Sequence, residues 1–385
     1  MSYQRIYRPR LFVSWPLYQF TVGQMLGHNW AINPNILDVS AGDDESYNMN
    51  EDCMYKLSQL DPARYSLFKL NLGVTNQLQE FRFGISGTPY AGDLSTDEKN
   101  SIMSSFDYLM ILGHNMASCH AAFDIQEQYG GSMMDSGLVN APLSGAEAYP
   151  QYNGFSLCEI SGGGNGSDYL SVNVGAGGAE ILSEVFAMGS IMFGKSYTFP
   201  YNADIEQITT FNYGIKTRES VSGRSIAINN WSHRNKWATN PFDLSLDNIG
   251  DNAIDAYQMS GRRSWKCKFS FLAPEHVVGQ NLNTNSNGWS NVWKNADGVD
   301  TTYSGYTIDG NNDSVYNLLN PADTDFYSIV VNRTLGGALP MVLQLDAVEG
   351  GNPDSFAIVR MNPNYEIRHV GRDIYEIELD LVEQI

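Results

Sequence analysis

The six histidines and four cysteines are the side chains that could bind a metal ion or act as nucleophiles. No histidine lies in an H-E-x-x-H or H-x-H arrangement, which are the short spacings typical of zinc sites. The cysteines Cys53, Cys119, Cys158 and Cys267 are far apart and form no C-x-x-C pair. The sequence therefore predicts no metal site, no cofactor, and cysteines that are buried free thiols.

Glycine-rich and acidic segments also lack the partners that catalysis needs. Residues 162–166 are not followed by the lysine of a phosphate-binding loop, and no G-x-S-x-G nucleophile elbow occurs. Residues 309–313 begin like a calcium loop, but Asn320 stands where a closing glutamate would be needed. Paired carboxylates of a glycosidase need no fixed spacing and stay open, although the acids cluster in predicted loops and on exposed strand faces. We expect no catalytic residue and no enzyme activity.

Gly113, His114 and Asn115 form the most distinctive short motif, directly after the apolar run 108–112. In one interpretation His114 and Asn115 are hydrogen-bonding ligands of a sugar. In the other, Gly113 and Asn115 turn the chain, and His114 hydrogen-bonds a neighbouring backbone group. The pattern favours the turn, but the sequence leaves both interpretations open.

The formal charge of −20 argues against nucleic-acid binding, because little positive charge is present to compensate phosphates. The one basic stretch near the N-terminus contains Arg5, Arg8 and Arg10, and we expect these arginines to anchor the N-terminal segment to carboxylates or carbonyls of a partner. No apolar run approaches the roughly 18 residues of a spanning helix, so we expect no membrane insertion. The first residues lack an apolar signal core, which predicts synthesis in a cytoplasm without secretion through a cleaved signal.

The elements that must position these residues are predicted to be mainly β-strands. The chain has 385 residues, enough for two domains, and its 36 glycines and 22 tyrosines are typical of strands joined by turns. In the first half, Pro16 is expected to close the first strand, and a short helix is predicted at 96–105. Short strands separated by turns indicate a β-sandwich or jelly roll. The predicted strands are 10–15, 66–72, 79–85, 108–112, 121–126, 154–160, 169–174 and 184–193.

After Pro200 the pattern indicates a second β domain. Residues 205–221 and 223–231 are predicted to form a long hairpin, with Gly223 near its turn. In the strand 263–271, the apolar residues alternate with polar ones and should share one buried face. These apolar residues are Trp265, Cys267, Phe269 and Phe271.

The end of the chain is predicted to hold one helix and a closing hairpin. Asp323 or Thr324 caps the helix and Gly336–Gly337 ends it, after a long loop over 274–322. Strands follow at 339–345, 355–360, 365–370 and 373–383. In the last strand, Glu376, Glu378 and Asp380 alternate with apolar residues, so one face is acidic and the other buried.

Residues 63–199 resemble the discoidin-like (galactose-binding-like) jelly rolls found inside phage structural proteins. The resemblance lies in the apolar strand followed by Gly113-His114-Asn115, in 121–126, and in Phe186-Ala-Met-Gly with Phe193-Gly194. Such domains commonly bind sugars or other proteins. The resemblance therefore implies a second sandwich in the chain.

Residues 200–385 are similar to a family of tailed-phage virion proteins with the fold of tail-tube and distal tail proteins. The similar segments are 261–265, 334–340, Gln344, 352–358 and the terminal hairpin. The resemblance implies that copies join edge to edge into a ring around a channel, in the tail of a virion. It further implies that residues 1–62 pack on this domain, and that Glu376, Glu378 and Asp380 line the lumen.

The expected function is thus a structural tail or baseplate ring protein whose partners are copies of itself and other tail proteins. A sandwich that binds host glycans or a host receptor, or that decorates the virion, is the alternative.

Overall fold

The protein is mainly β, with large antiparallel sheets and few short helices. A computed structural model describes the residues in the following ranges: 8–25, 56–61, 66–69, 78–84, 106–127, 131–161, 169–175, 185–204, 208–212, 214–229, 262–277, 325–347, 355–372 and 374–384. The helix predicted at 96–105, the glycine-rich loop 162–166 and nearly all of the loop 274–322 lie outside the described residues.

The strands follow one another along most of the described chain, interrupted by short helices. Residues 56–58 are helical, and the other helices are α1 (Trp15–Met25), α2 (Met116–Cys119), α3 (Pro274–Val277) and a π-helix (Tyr327–Asn332). The strands are β1 (Arg10–Ser14), β2 (Ser66–Lys69), β3 (Leu78–Gly84), β4 (Tyr108–Leu112), β5 (Ala122–Glu127), β6 (Met134–Val139), β7 (Leu143–Ser144), β8 (Glu147–Ala148), β9 (Phe155–Ile160), β10 (Tyr169–Gly175), β11 (Val185–Met188), β12 (Ser190–Thr198), β13 (Ile208–Asn212), β14 (Ile215–Glu219), β15 (Ser225–Asn229), β16 (Arg262–Leu272), β17 (Met341–Gln344), β18 (Phe356–Met361), β19 (Glu366–Gly371) and β20 (Ile374–Glu383).

One 11-stranded sheet runs through both halves of the chain, in the order β13-β16-β20-β18-β17-β1-β12-β4-β9-β6, with β19 also paired to β20. The first strand joins the halves, because β1 pairs with β12 on one side and β17 on the other. A five-stranded sheet has the order β3-β10-β5-β8-β7, and β2–β11 and β14–β15 form separate pairs. The predicted parts 1–62, 63–199 and 200–385 all contribute strands to the large sheet.

Three apolar clusters form the core. On one face of the large sheet, residues such as Ile191 and Phe193 pack with Phe123 and Val172 of the five-stranded sheet, so these two sheets form a sandwich. Further along the chain, Trp265 and its neighbours pack against the π-helix. The opposite face carries the third cluster, because adjacent strand residues point to opposite sides.

Helix α1 corrects the prediction of a strand over 10–15 that Pro16 closes, because the strand ends at Ser14 and Pro16 lies in the first turn of the helix. Proline suits the first turn of a helix, where its missing N–H would have no partner. The Ser14 hydroxyl accepts a hydrogen bond from the Leu17 N–H at 3.3 Å and so caps the helix. Ser14 is the last residue of β1 and α1 begins at Trp15, so no loop separates the two elements.

The predicted helix near residue 326 is present as a six-residue π-helix, Tyr327–Asn332. The side-chain oxygen of Asp325 accepts the Ser328 N–H at 2.9 Å, so Asp325 serves as a cap, while 323 and 324 lie outside the described residues. Gly336 and Gly337 follow with φ of 70° and 93°, conformations that favour glycine and end the helix as predicted.

Strand β16 differs from its prediction at one end. Trp265, Cys267 and Phe269 are buried as expected, but Phe271 is 77% exposed. The pairing with β20 shifts between Phe269 and Leu272, and Phe271 has a φ of 62°. This bulge turns the Phe271 ring out of the face that periodicity assigned to it.

Two other long strands of the prediction are each divided. The residues predicted as one strand at 184–193 form β11 and β12, and the 205–221 strand is broken at Gly214, whose φ is 63°. The turn at Gly223 is as predicted, since β14 pairs with β15 around it. Strands β6, β7 and β8 were not predicted.

Candidate functional site

The Gly-His-Asn motif lies at the end of β4 and joins this strand to β9. Gly113 has a φ of 63°, which turns the chain. Its N–H donates to the Gly154 carbonyl at 2.6 Å, and the Gly154 N–H donates to the His114 carbonyl at 2.7 Å. These two bonds hold the turn against the residue before β9.

The His114 side chain is fully buried, with 0% exposure. Its Nδ1 accepts the Met116 N–H at 3.3 Å, so Nε2 carries the proton and donates to the Ser156 hydroxyl at 2.9 Å. Burial lowers the pKa of His114 from 6.5 to about 3. The ring is therefore neutral at physiological pH, and both of its nitrogens are used within the chain.

Asn115 connects the same turn to β11. Its side-chain oxygen accepts the Ala187 N–H at 2.8 Å, and its own N–H donates to the Ala187 carbonyl at 3.3 Å. Asn115 is 8% exposed. A sugar could reach His114 only if residues 113–116 moved, so the geometry is that of a turn that ties three strands together.

The three acids of β20 face a row of cations on neighbouring strands. Glu376 lies 2.9 Å from the Lys268 ammonium and Asp380 lies 3.8 Å from that of Lys266, both on β16. Glu378 is opposite Lys268 in the register. The hydrogen bond from Lys268 lowers the pKa of Glu376, and Arg368 of β19 adds to this effect. The surface around these acids is thus mixed in charge.

The described arginines of the N-terminal segment, Arg8 and Arg10, contact this chain itself. Arg8 Nε donates to the Phe199 carbonyl at 2.5 Å, and Arg10 Nε donates to the Ser196 hydroxyl at 2.9 Å. Arg10 also lies 3.8 Å from Glu159. These contacts fix β1 beside β12, and Arg5 lies outside the described residues.

Asp107 binds Ser196, the same residue of β12 that Arg10 contacts. It accepts hydrogen bonds from the Ser196 N–H at 2.9 Å and the Ser196 hydroxyl at 2.8 Å. Burial raises the pKa of Asp107, while the bonds from Ser196 and the charge of Arg10 act in the opposite direction. Sequence reasoning did not find Asp107, because its partner is 89 residues away.

Residues 208–229, which we call the arm, form the most exposed part of the described chain. Every described side chain of β13, β14 and β15 is exposed, including Phe211 at 56%, Ile215 at 57% and Ile226 at 49%. Strand β13 is an end strand of the large sheet. The mixed polar and apolar residues of β14, which show no clean period of two, were the signal in the sequence that neither face is buried.

The described residues contain neither a metal-binding cluster nor a helix that could span a membrane. No group of three or more His, Cys, Asp and Glu side chains there is arranged to hold a metal ion. In the same residues, no helix combines the length and apolarity that a membrane span requires. No protein-family model, curated protein or solved structure matches this chain.

Proposed function

We propose that the chain is a non-enzymatic structural component of a tailed-phage virion, a ring protein of the distal tail or baseplate that joins the tail tube to the tip. The resemblance of residues 200–385 to tail-tube and distal tail proteins supports this proposal. The mainly β fold is consistent with it. Its partners would be further copies of the chain and neighbouring tail proteins.

The observation that carries the proposal is the exposed end of the large sheet. Among the described strands, β13 pairs with β16 alone, and the described side chains of β13 are all exposed. An exposed strand edge offers unpaired N–H and C=O groups to another chain. Exposed Phe211 and Ile215 add apolar surface that is typical of an interaction site.

The glycan-binding alternative has less support. It depends on His114 and Asn115 as sugar ligands, and both are buried and bonded to this chain's own strands. We therefore keep it as an outcome of the test.

Light scattering and negative-stain microscopy of the purified full-length protein test the proposal. We expect closed rings of uniform size that appear as concentration rises. A strict monomer at every concentration would contradict the proposal. Binding of that monomer to a glycan array would favour the alternative.

A further inference from the structure

The two end strands of the large sheet differ in how well they could pair with another chain. Strand β6, at one end, has two register shifts in its pairing with β9 and carries the exposed Asp135. A Cβ on Gly137 would lie 2.2 Å from the Ala141 carbonyl oxygen, so the chain after β6 packs tightly against this strand. Bulges and charges on an edge strand hinder pairing with another molecule. This end of the sheet is therefore protected.

Strand β13, at the other end, is regular and uncharged. Its five residues pair with β16 in one unbroken register, from Ile208 opposite Lys266 to Asn212 opposite Arg262. The strand has the sequence Ile-Thr-Thr-Phe-Asn, without a charged residue or a proline, and every side chain is exposed. A regular, uncharged edge of this kind favours the addition of a strand from another molecule.

The same strand of a second copy has side chains that fit this edge. When two copies of β13 are related by a two-fold axis they run antiparallel, and pairing all five residues places Thr210 opposite Thr210 of the second copy. Ile208 then lies opposite Asn212, and Thr209 opposite Phe211. Pairs of threonines, and pairs of an aromatic with a β-branched residue, stabilise antiparallel strands. No charges are brought together, although each copy carries a net charge of −20.

Strand β14 of the arm lacks this self-complementarity. Two copies of β14 paired in the same way about Thr217 would place Lys216 opposite Arg218 on both sides of the axis. Like charges directly opposite one another destabilise a strand pair. The side chains therefore favour β13 over β14 as the edge that pairs with itself.

We propose that β13 pairs antiparallel with β13 of a second copy, so that the large sheet continues across a two-fold axis. This inference rests on the exposed sheet end that the proposed function also uses, and it names what covers that end. The Phe211 rings of the two copies lie on one face, diagonally across the strand pair and within reach of each other. A two-fold contact closes after two copies, so the proposed ring needs a second, separate contact.

Two variants of the full chain, Thr210→Lys and Thr210→Glu, test the pairing. In each variant like charges face each other at the axis, so we expect self-association at least about tenfold weaker than in wild type. The thermal midpoint should not change, because Thr210 is exposed. Thr217→Lys and Thr217→Glu place the same charges on exposed β14 and are the matched controls, which should associate like wild type. Analytical ultracentrifugation measures the association.

An equimolar mixture of Thr210→Lys and Thr210→Glu separates this contact from other modes of association. The introduced lysine of one copy then faces the introduced glutamate of the other, so dimers should return. A mixture that associates no better than either variant alone would overturn the inference. Unchanged association of both separate variants would overturn it as well.

Disulfide cross-linking tests the register. Opposite residues of antiparallel strands have Cα atoms about 4.5–5.5 Å apart, which suits a disulfide. Under mild oxidation Thr210→Cys alone should form a covalent dimer, and so should Thr209→Cys mixed with Phe211→Cys. Thr217→Cys is the control and should stay uncrosslinked. Wild type is the blank, and its described cysteines are buried.

The outcomes distinguish this inference from the proposed function. If wild type forms rings but Thr210→Cys gives no covalent dimer, the inference is wrong and the proposed function stands. If Thr210→Cys is cross-linked while wild type forms dimers and no rings, the inference stands and the proposed function is contradicted. A strict monomer without cross-links would contradict both.

Discussion

The turn at Gly113–Asn115 and the arm at 208–229 both carry polar side chains within the β structure, yet they lie in opposite environments. His114 is fully buried and its ring nitrogens bond within the chain. In the arm, Lys216 and Arg218 are exposed. The comparison teaches that a distinctive motif can serve the interior, whereas an inconspicuous hairpin can lie almost wholly at the surface.

The two environments also assign different consequences to mutation. A buried side chain contributes packing and satisfied hydrogen bonds, so its loss lowers the free energy of unfolding. An exposed side chain contributes little to stability, so its replacement should leave the free energy of unfolding nearly unchanged. The predictions below test this contrast with pairs of residues of the same type.

At neutral pH, the largest effect is expected for Phe269→Ala on β16. Phe269 is 1% exposed and its ring stacks on Phe199 with centroids 3.7 Å apart. Removing the ring should lower the free energy of unfolding by about 3–5 kcal/mol. Urea denaturation followed by tryptophan fluorescence measures the change.

Phe271 is the control, two residues along the same strand. Phe271→Ala should change the free energy of unfolding by no more than about 0.5 kcal/mol. Phe271→Gly should raise it by about 1 kcal/mol, because the φ of 62° strains any residue with a Cβ. Equal losses for Phe269→Ala and Phe271→Ala would show that both rings are buried.

The next effect is a pH dependence that His114 produces. The unfolded ring, with a pKa of 6.5, takes up a proton below pH 6.5, while the folded ring stays neutral until about pH 3. Lowering the pH through this window therefore favours unfolding, by about 1.4 kcal/mol per pH unit, and the loss is complete below pH 3. Unfolding curves at several pH values measure the slope.

His114→Gln should be less stable at neutral pH and should lose this part of the acid slope. The difference between the two pH profiles isolates His114 from the carboxylates that titrate in the same range. His120→Gln, at an exposed histidine after α2, is the matched control. Parallel profiles for wild type and His114→Gln would mean that the ring is not held neutral.

Local sequence pattern predicted many of these elements, and it failed where distant parts of the chain decide. Strand 108–112 was predicted with both of its ends, because an apolar run stops at Gly113. Periodicity missed the bulge at Phe271, since a bulge depends on how β16 pairs with β20.

The candidate site was harder to predict than the strands. The tripeptide at 113–115 was recognisable, but its burial comes from β9 and β11, which no local pattern reveals. The position of β1 between β12 and β17 also depends on contacts with residues far along the chain.

A smaller effect is expected at the buried ion pair of β16 and β20. Glu383 accepts hydrogen bonds from Arg263 Nε and Nη2, both at 2.9 Å, and its side chain is 3% exposed. Glu383→Ala should cost about 2–3 kcal/mol, less than for a fully buried pair because Arg263 is partly exposed. Glu366→Ala, which removes the exposed pair with Arg368, should leave the urea midpoint unchanged. A shift of similar size in both variants would remove the distinction between the two pairs.

The smallest effect is expected at the arm's own turn, where Gly223 has a φ of 76° and open space around it. Gly223→Ala should strain only the arm, by about 1 kcal/mol, and so raise amide exchange in 214–229 about fivefold. The global midpoint should not move, because no core cluster includes this hairpin. At Gly337, by contrast, a Cβ would lie 2.6 Å from the Met361 carbonyl, so Gly337→Ala should lower the global midpoint. If Gly223→Ala also lowered the global midpoint, the arm would unfold together with the core. The contrast between the exposed arm and the buried turn at 113–115 would then not hold.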